Sequence, residues 1–176
     1  MTQTLTPDST LFAVAAETPI GVIGLVWSEA GLRRLFFPGG DIKVRVQDAF
    51  PEARFGEERP AWVEALIEDL YHHLAGESRD FAEVPLDLEA TTPFQRHVYA
   101  VCRELAPGQV TTYAGLAQRM GRAASSARAV GSALGKNPVP LVVPCHRVVG
   151  SDGRLHGFTA PGGLTLKQRL LDLEGV

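Results

Sequence analysis

A thiol, an imidazole and a guanidinium stand side by side in Pro144-Cys145-His146-Arg147-Val148, directly after the apolar run Val139-Pro140-Leu141-Val142-Val143. A hydrophobic approach ending in a proline-stiffened bend would deliver Cys145 to a defined place with a base and a cation beside it. Cysteine attacks as the thiolate, and a neighbouring base or positive field favours that form. His146 is the obvious base, and a histidine base takes an orienting group of its own. Glu174 is the attractive partner, because it ends the last apolar helix and is one of only four acids after residue 90; Asp152 and Asp172 are rivals. Two other readings compete. A zinc site needs about four N or S ligands at recognisable spacing. Cys145-His146 has no CxxC and no paired histidines, and only His97 and His156 stand nearby in sequence. A buried, inert cysteine is a common fate of a free thiol, but the dipeptide His146-Arg147 is awkward in a dead core. The other cysteine, Cys102, shows no sign of exposure.

The elements that must position this segment follow from apolar spacing. Leu11–Ala16, Gly21–Trp27 and Leu32–Phe37 are apolar runs separated by Thr18-Pro19 and Glu29-Ala30-Gly31, which predicts an antiparallel meander. Asp41–Phe50 reads as a short helix stopped at Pro51. In Pro60–Ala75, Trp62, Ala65, Leu66, Leu70, His73 and Leu74 make a stripe at helical spacing, ended by Gly76; His72-His73 is placed at the surface or the core edge. Residues 78–90 form an extended connector. Thr92-Pro93-Phe94-Gln95 offers an N-cap, a proline at the first helical position and Gln three residues after the cap. Phe94, Val98, Val101, Cys102 and Leu105 then face a core until Pro107-Gly108. Thr112 caps a short helix through Met120, and Ser125–Gly135 forms another, the outline of a helix-turn-helix. Val148-Val149 and Leu155–Phe158 flank Gly150-Ser151-Asp152-Gly153, a hairpin signal. Gly163–Glu174 closes the chain as a helix. The expected fold is an α/β N-terminal domain with a small antiparallel sheet, residues 1–90, and a mainly helical C-terminal domain with a winged helix-turn-helix, residues 91–176.

Composition narrows the class. Of 176 residues, 45% are hydrophobic and 21% charged, as in ordinary soluble globular proteins, and no run approaches a membrane span. Residues 1–9 read as a polar tail. Two cysteines and no secretion signal favour a reducing, cytoplasmic site, nucleoid-associated if the source is bacterial. The net charge of −3 hides an asymmetry: residues 1–90 hold 7 Lys+Arg against 16 Asp+Glu, and residues 91–176 hold 10 against 4. A basic half is a prior for a polyanionic partner, although two solvated surfaces of opposite sign would read the same way.

The helix Ser125–Gly135 sharpens the choice. Ala127, Val130 and Leu134 share an inward face; Arg128, Gly131, Ser132 and Gly135 share the other. A helix that reads bases in the major groove wants several long polar side chains, and this one has a single arginine. It suits a shallow, sequence-tolerant contact with a DNA groove and its phosphates, with Arg128 as the probe and Ser125 and Ala127 beside it. Helix packing through small residues is the simpler reading of the same face. A thiol nucleophile beside such a helix, with no Gly-rich donor-cofactor loop in the chain, points to attack on something carried by DNA.

Together Ala127-Arg128-Ala129-Val130-Gly131, Asn137-Pro138, Pro144 through Val148, Gly162-Gly163-Leu164, Lys167, Leu170-Leu171 and Glu174-Gly175 resemble the O6-alkylguanine-DNA alkyltransferases, also called methylated-DNA–protein-cysteine methyltransferases. The likeness is dense over residues 90–175 and looser at Thr18-Pro19-Ile20-Gly21. It implies direct, irreversible, single-turnover transfer of a methyl or other alkyl group from O6 of guanine, and from O4 of thymine as a secondary substrate, in double-stranded DNA. By the same resemblance Cys145 is the acceptor, His146 activates it through a water, Glu174 orients His146, and Asn137 fixes the turn before the active segment. Tyr113 helps rotate the nucleotide and protonates guanine N3, Arg128 fills the gap left by the flipped base, and main-chain groups of Cys145 and Val148 recognise the guanine edge. Extrusion costs a few kcal/mol, less for a weakened pair.

The expected pocket is Val148, Phe158, Thr159 and Pro140. Phe158 stands where many relatives have tyrosine, in a longer, Pro-containing loop, which leaves the preferred alkyl size open. No cofactor, no zinc, no membrane and a monomer are expected. The alternative is a DNA-binding regulator or alkylation-damage sensor of the same fold that does not repair; the presence of Cys145 argues against it.

Overall fold

The computed structural model describes residues 9–176; apart from Ser9, the expected polar tail lies outside the described residues. Three strands open the described chain: β1 Phe12–Thr18, β2 Gly21–Ser28 and β3 Gly31–Phe36. β1 and β2 pair antiparallel from Phe12↔Trp27 to Thr18↔Gly21, and β2 pairs antiparallel with β3 across an irregularity at Val26/Trp27. The sheet differs from expectation in one respect. A two-residue strand, β4 Arg54–Phe55, joins β1 in parallel, giving the order β3-β2-β1-β4 and a mixed rather than purely antiparallel sheet. Two residues between Pro51 and Gly56 are too few to show a period of two.

Side-chain alternation divides the sheet's two faces. Ala13, Val26 and Phe36 pack with Ile42 and Val46 of helix α1, Ile42–Ala49, whose N-terminus Asp41 caps through hydrogen bonds from the Lys43 and Val44 amides. Val14, Ile23, Leu25, Trp27 and Leu32 face the other way, against helix α2, Ala61–Leu74, and one apolar cluster that continues through Val98, Leu116, Val130 and Leu170. The connector after α2 is tied to the turn between β2 and β3: Leu32 donates to Pro85 O at 2.8 Å and Asp87 donates back to Leu32 O at 2.9 Å. Gly31 makes this approach possible, since at its φ of +145° a Cβ would stand 2.5 Å from the Pro85 carbonyl.

Helix α3, Pro93–Cys102, starts on a complete capping box between Thr92 and Gln95 and buries Val98, Tyr99, Val101 and Cys102. The pair β5 Thr111–Thr112 and α4 Tyr113–Arg119 follows, with Thr112 capping α4 through the Gly115 amide. A 3-10 turn, Ala124–Ser126, then leads into α5, Ala127–Gly135, so the α-helix begins two residues later than Ser125. Val130, Ala133 and Leu134 of α5 are buried, and Tyr99 Oη donates to Ala133 O at 2.8 Å, locking α5 on α3. The expected hairpin is a turn without a second strand. Gly150 donates to Arg154 O at 2.9 Å, but β6, Val148–Val149, pairs in parallel with β5 instead. The His156 carbonyl is held by Tyr113 and Lys167, and Gly157 adopts a φ of +60°, so this arm turns away from β6. Helix α6, Gly163–Leu173, completes the described fold and hands over to Glu174 at its C-cap.

Candidate active site

The site is built where α5 ends. Asn137 fixes the next turn with both ends of its side chain: Nδ2 donates to Val143 O at 2.9 Å, and Oδ1 accepts from the Val139 amide at 3.0 Å. Between them Leu141 holds a φ of +72°, a left-handed conformation costing an L residue about 1–2 kcal/mol; its side chain is fully buried, and the Val143 amide closes the loop on Val139 O. Cys145, His146 and Arg147 then form one 3-10 turn that feeds β6.

Glu174 gathers this turn. Its side chain is 1% exposed, and Oε1 lies 2.8 Å from His146 Nε2 while Arg147 contributes Nη2 to Oε1 at 2.7 Å and Nε to Oε2 at 2.9 Å. A second imidazole enters from α2: His73 Nε2 stands 3.1 Å from the same Oε1. His73 Nδ1 accepts from the Arg79 amide at 3.2 Å, so its proton is on Nε2, donated to Glu174. His73 is therefore fully buried and central, not at the surface or core edge; it sits in the apolar stripe of α2 because Glu174 supplies its partner. Burial alone would raise the Glu174 pKa, but the hydrogen bonds from His146, His73 and Arg147 outweigh it and carry the carboxyl far below the ordinary range. As a carboxylate, Glu174 can only accept, so neutral His146 carries its proton on Nε2 and leaves Nδ1 bare. That Nδ1 is buried with no hydrogen-bond partner among the described residues. Burial, partly opposed by Glu174, holds the His146 pKa below its usual value. The result is an imidazole that is neutral, oriented and ready to accept a proton.

Cys145 is 8% exposed and lies on the wall of a cavity of about 410 Å³. Asn137, Pro140, Phe158 and Thr159 line the same cavity, together with Leu134 and Phe37. Burial pushes the thiol pKa up, against the pull of Asn137 and the positive charge of Lys167. Lys167, fully buried on α6, donates to Val148 O at 2.7 Å and to His156 O at 3.0 Å. Val148 is not on the cavity wall: its side chain is in the core, its carbonyl is taken by Lys167, and its N–H donates to Cys145 O. Cys102 is completely buried and its thiol is pushed well above the ordinary range by burial.

The remaining expected residues lie on a second, open groove. Tyr113, Ala127, Arg128 and Gly131 line it, and Arg128 projects from an exposed position. Ser125 and Ser132 are exposed beside it. Tyr113 donates its hydroxyl to His156 O at 3.0 Å, and a Cβ on Gly131 would touch the Tyr113 ring at 3.5 Å. The small face of α5 is thus used for packing at Gly131 and left open at Arg128 and Ser132. Burial, reinforced by the nearby Cys145, raises the Tyr113 pKa.

This arrangement has relatives. Residues 93–176 match the family described as 6-O-methylguanine DNA methyltransferase, DNA binding domain. The methylated-DNA–protein-cysteine methyltransferase of Methanosarcina acetivorans is 39% identical over 160 residues, 90% of this chain and 95% of the relative. The chain belongs to the methylated-DNA–protein-cysteine methyltransferase family. Its fold agrees with that membership. The crystal structure of the Mycobacterium tuberculosis O6-methylguanine methyltransferase superposes with a TM-score of 0.75 at 31% identity, covering 93% of this chain and 92% of that one, as does that protein in complex with DNA.

For this family member, sequence reasoning missed three groups at the site. His73 lay in plain view at an inward position of α2, where a polar residue needs a partner. Lys167 likewise falls three residues before Leu170 on the buried side of α6. Arg147 was noticed as a cation beside the thiol, but its bidentate hold on Glu174 was not.

Proposed function

We propose that Cys145 is the alkyl acceptor in a direct, irreversible repair of O6-alkylguanine in double-stranded DNA, each molecule acting once. The observation that carries this reading is the bare, buried Nδ1 of His146, oriented by Glu174, in the turn that places Cys145 on a cavity. The thiol passes its proton to His146 Nδ1 through a water. Sγ then attacks the alkyl carbon, the C–S bond forms, and the C–O6 bond breaks with its electron pair leaving on guanine. Tyr113 exchanges its bond to His156 O for a proton donation to guanine N3, which makes guanine a better leaving group. The product is a thioether, so the thiol is not regenerated.

The groove lined by Tyr113, Arg128 and Gly131 is the DNA face, with α4 and α5 as a winged helix-turn-helix whose wing is the Gly150–Arg154 turn. Arg128 takes the place of the extruded base. Residues 91–176 are the DNA-binding and acceptor domain; residues 1–90 buttress it, His73 included. O4-alkylthymine is the secondary substrate. The test is incubation with an O6-methylguanine duplex followed by peptide mass spectrometry. A single methyl on the Cys145 peptide is expected, at one per protein; DNA binding with Cys145 unmodified would mean a damage sensor instead.

A further inference from the structure

Two cations on the Cys145 cavity are unused by alkyl transfer. Arg34, on β3, and Arg45, on α1, line that cavity with Cys145, and their guanidinium carbons lie 5.3 and 5.5 Å from the centroid of one ring, Phe36. Arg45 Nη1 donates to Phe37 O at 2.7 Å and Gly39 O at 2.8 Å, which fixes its head. Among the described residues no carboxylate pairs with either arginine, and the cavity wall contains no Asp or Glu. Arg34 is an exposed residue and Arg45 a half-buried one; partial burial first, and the like charge of Arg45 second, lower the Arg34 pKa. A guanidinium does not relieve this by losing its proton; a bound anion relieves it, best a carboxylate met by a planar fork. The other polar side chains on the wall are committed, Asn137 to the Val143 and Val139 backbone and Thr159 Oγ1 to Gly135 O.

We propose that Arg34 and Arg45 form an anion subsite within the Cys145 cavity, and that it admits O6 substituents ending in a carboxylate, carboxymethyl being the smallest. This rests on Cys145 being the acceptor. The alternative source of an anion is a DNA phosphate. The groove carrying Arg128 is a separate wall that shares only Gly157 with this cavity, so an anion carried on the transferred group is the one that meets both arginines and sulfur. In the transfer, Sγ bonds to the methylene carbon, that carbon's bond to O6 breaks, its electron pair leaves on guanine and is protonated there, and the carboxylate remains unchanged on the thioether. A thiolate attacking a carbon that bears a carboxylate brings two negative charges together. The arginine pair offsets that repulsion and is not required by a neutral alkyl group.

The experiment compares duplexes bearing O6-carboxymethylguanine and its neutral isostere O6-carbamoylmethylguanine, with Cys145 adducts followed by mass spectrometry in wild type, Arg34→Gln, Arg45→Gln and Arg34→Lys. Wild type should transfer carboxymethyl at least as fast as carbamoylmethyl. Arg34→Gln should slow carboxymethyl by about tenfold, the order of one charge-assisted hydrogen bond, while moving carbamoylmethyl by less than about threefold; Arg34→Lys should restore most of the loss. Arg45→Gln should act in the same direction. Arg45 also braces the Phe37–Gly39 loop, whereas Arg34 makes no such bond, so Arg34→Gln remains decisive if the other variant misfolds. Equal slowing of both duplexes assigns the arginines to a DNA phosphate and overturns the subsite, as does a wild type that reacts tenfold more slowly with carboxymethyl. If an O6-methylguanine duplex leaves no adduct on Cys145, the acceptor reading fails first, and that outcome is distinct from the other two.

Discussion

Replacing Glu174 by Gln is the sharpest perturbation of this site. The substitution keeps the shape, removes the charge and turns one acceptor oxygen into a donor. In the native protein one carboxylate receives His146 Nε2, His73 Nε2 and two nitrogens of Arg147, with side chains only 1–5% exposed. Removing one partner of a buried ion pair costs about 3–5 kcal/mol, because the other charge stays buried without compensation. Gln still offers one acceptor, so the lower end applies, about 3 kcal/mol, against the 5–15 kcal/mol typical of a domain. Urea unfolding at pH 7 measures it. The pH dependence carries the sign. The Glu174 pKa is depressed on folding, so its contribution is fully present above the unfolded carboxylate value of about 4.3 and is lost as pH falls toward the folded one. The gap between wild type and Glu174→Gln should therefore narrow from pH 7 to pH 3. Chemistry should suffer too, because the one neutral acceptor oxygen left is contested by His73 and Arg147 and no longer fixes the His146 tautomer; single-turnover transfer from free O6-benzylguanine should slow by about a hundredfold, the lower end for general base catalysis. A stability loss below about 1 kcal/mol, or one that does not change with pH, would refute the buried-carboxylate argument.

Two further outcomes follow from the same geometry. Arg128→Ala should slow repair of an O6-methylguanine duplex far more than reaction with free O6-benzylguanine, which needs no extruded base; equal losses in the two assays would remove Arg128 from the DNA step. Alkyl transfer should be flat from about pH 8.5 down through the ordinary histidine value of about 6.5 and fall only at lower pH, because burial keeps His146 neutral there and a protonated Nδ1 cannot take the thiol proton. A rate that instead climbs steadily from pH 6 to 9 would mean that hydroxide, not His146, makes the thiolate.

Local signals carried the reading where chemistry and position coincide in sequence. The Thr92–Gln95 capping box, the break between β1 and β2, the apolar runs of the strands and the Pro-Cys-His-Arg turn each need only neighbours a few residues apart, and each was legible. Partners that arrive from far along the chain were not. β4 has two residues and takes its register from β1; the arm after β6 looked like a second strand until Tyr113 and Lys167 claimed the His156 carbonyl. His73 is the clearest case. Its position in the α2 stripe announced burial, yet burial of an imidazole requires a partner, and that partner lies 101 residues away.

That distance bears on what the acidic first half does. Glu174 has a C-cap position, where a helix's partial negative charge disfavours a carboxylate. It is held there by donors from three places: His146 and Arg147 from the active turn, His73 from α2, and the Gly108 amide, which donates to Oε2 at 3.4 Å. The His73 proton is committed to Glu174 because the Arg79 amide occupies Nδ1, so the first half delivers a donor of fixed orientation rather than a charge. Without it, Oε1 would be shared by His146 and Arg147 alone, and the carboxylate could rotate toward the guanidinium. Docking of α2 onto α6 therefore governs the orientation of Glu174 and, through it, the direction in which His146 presents Nδ1.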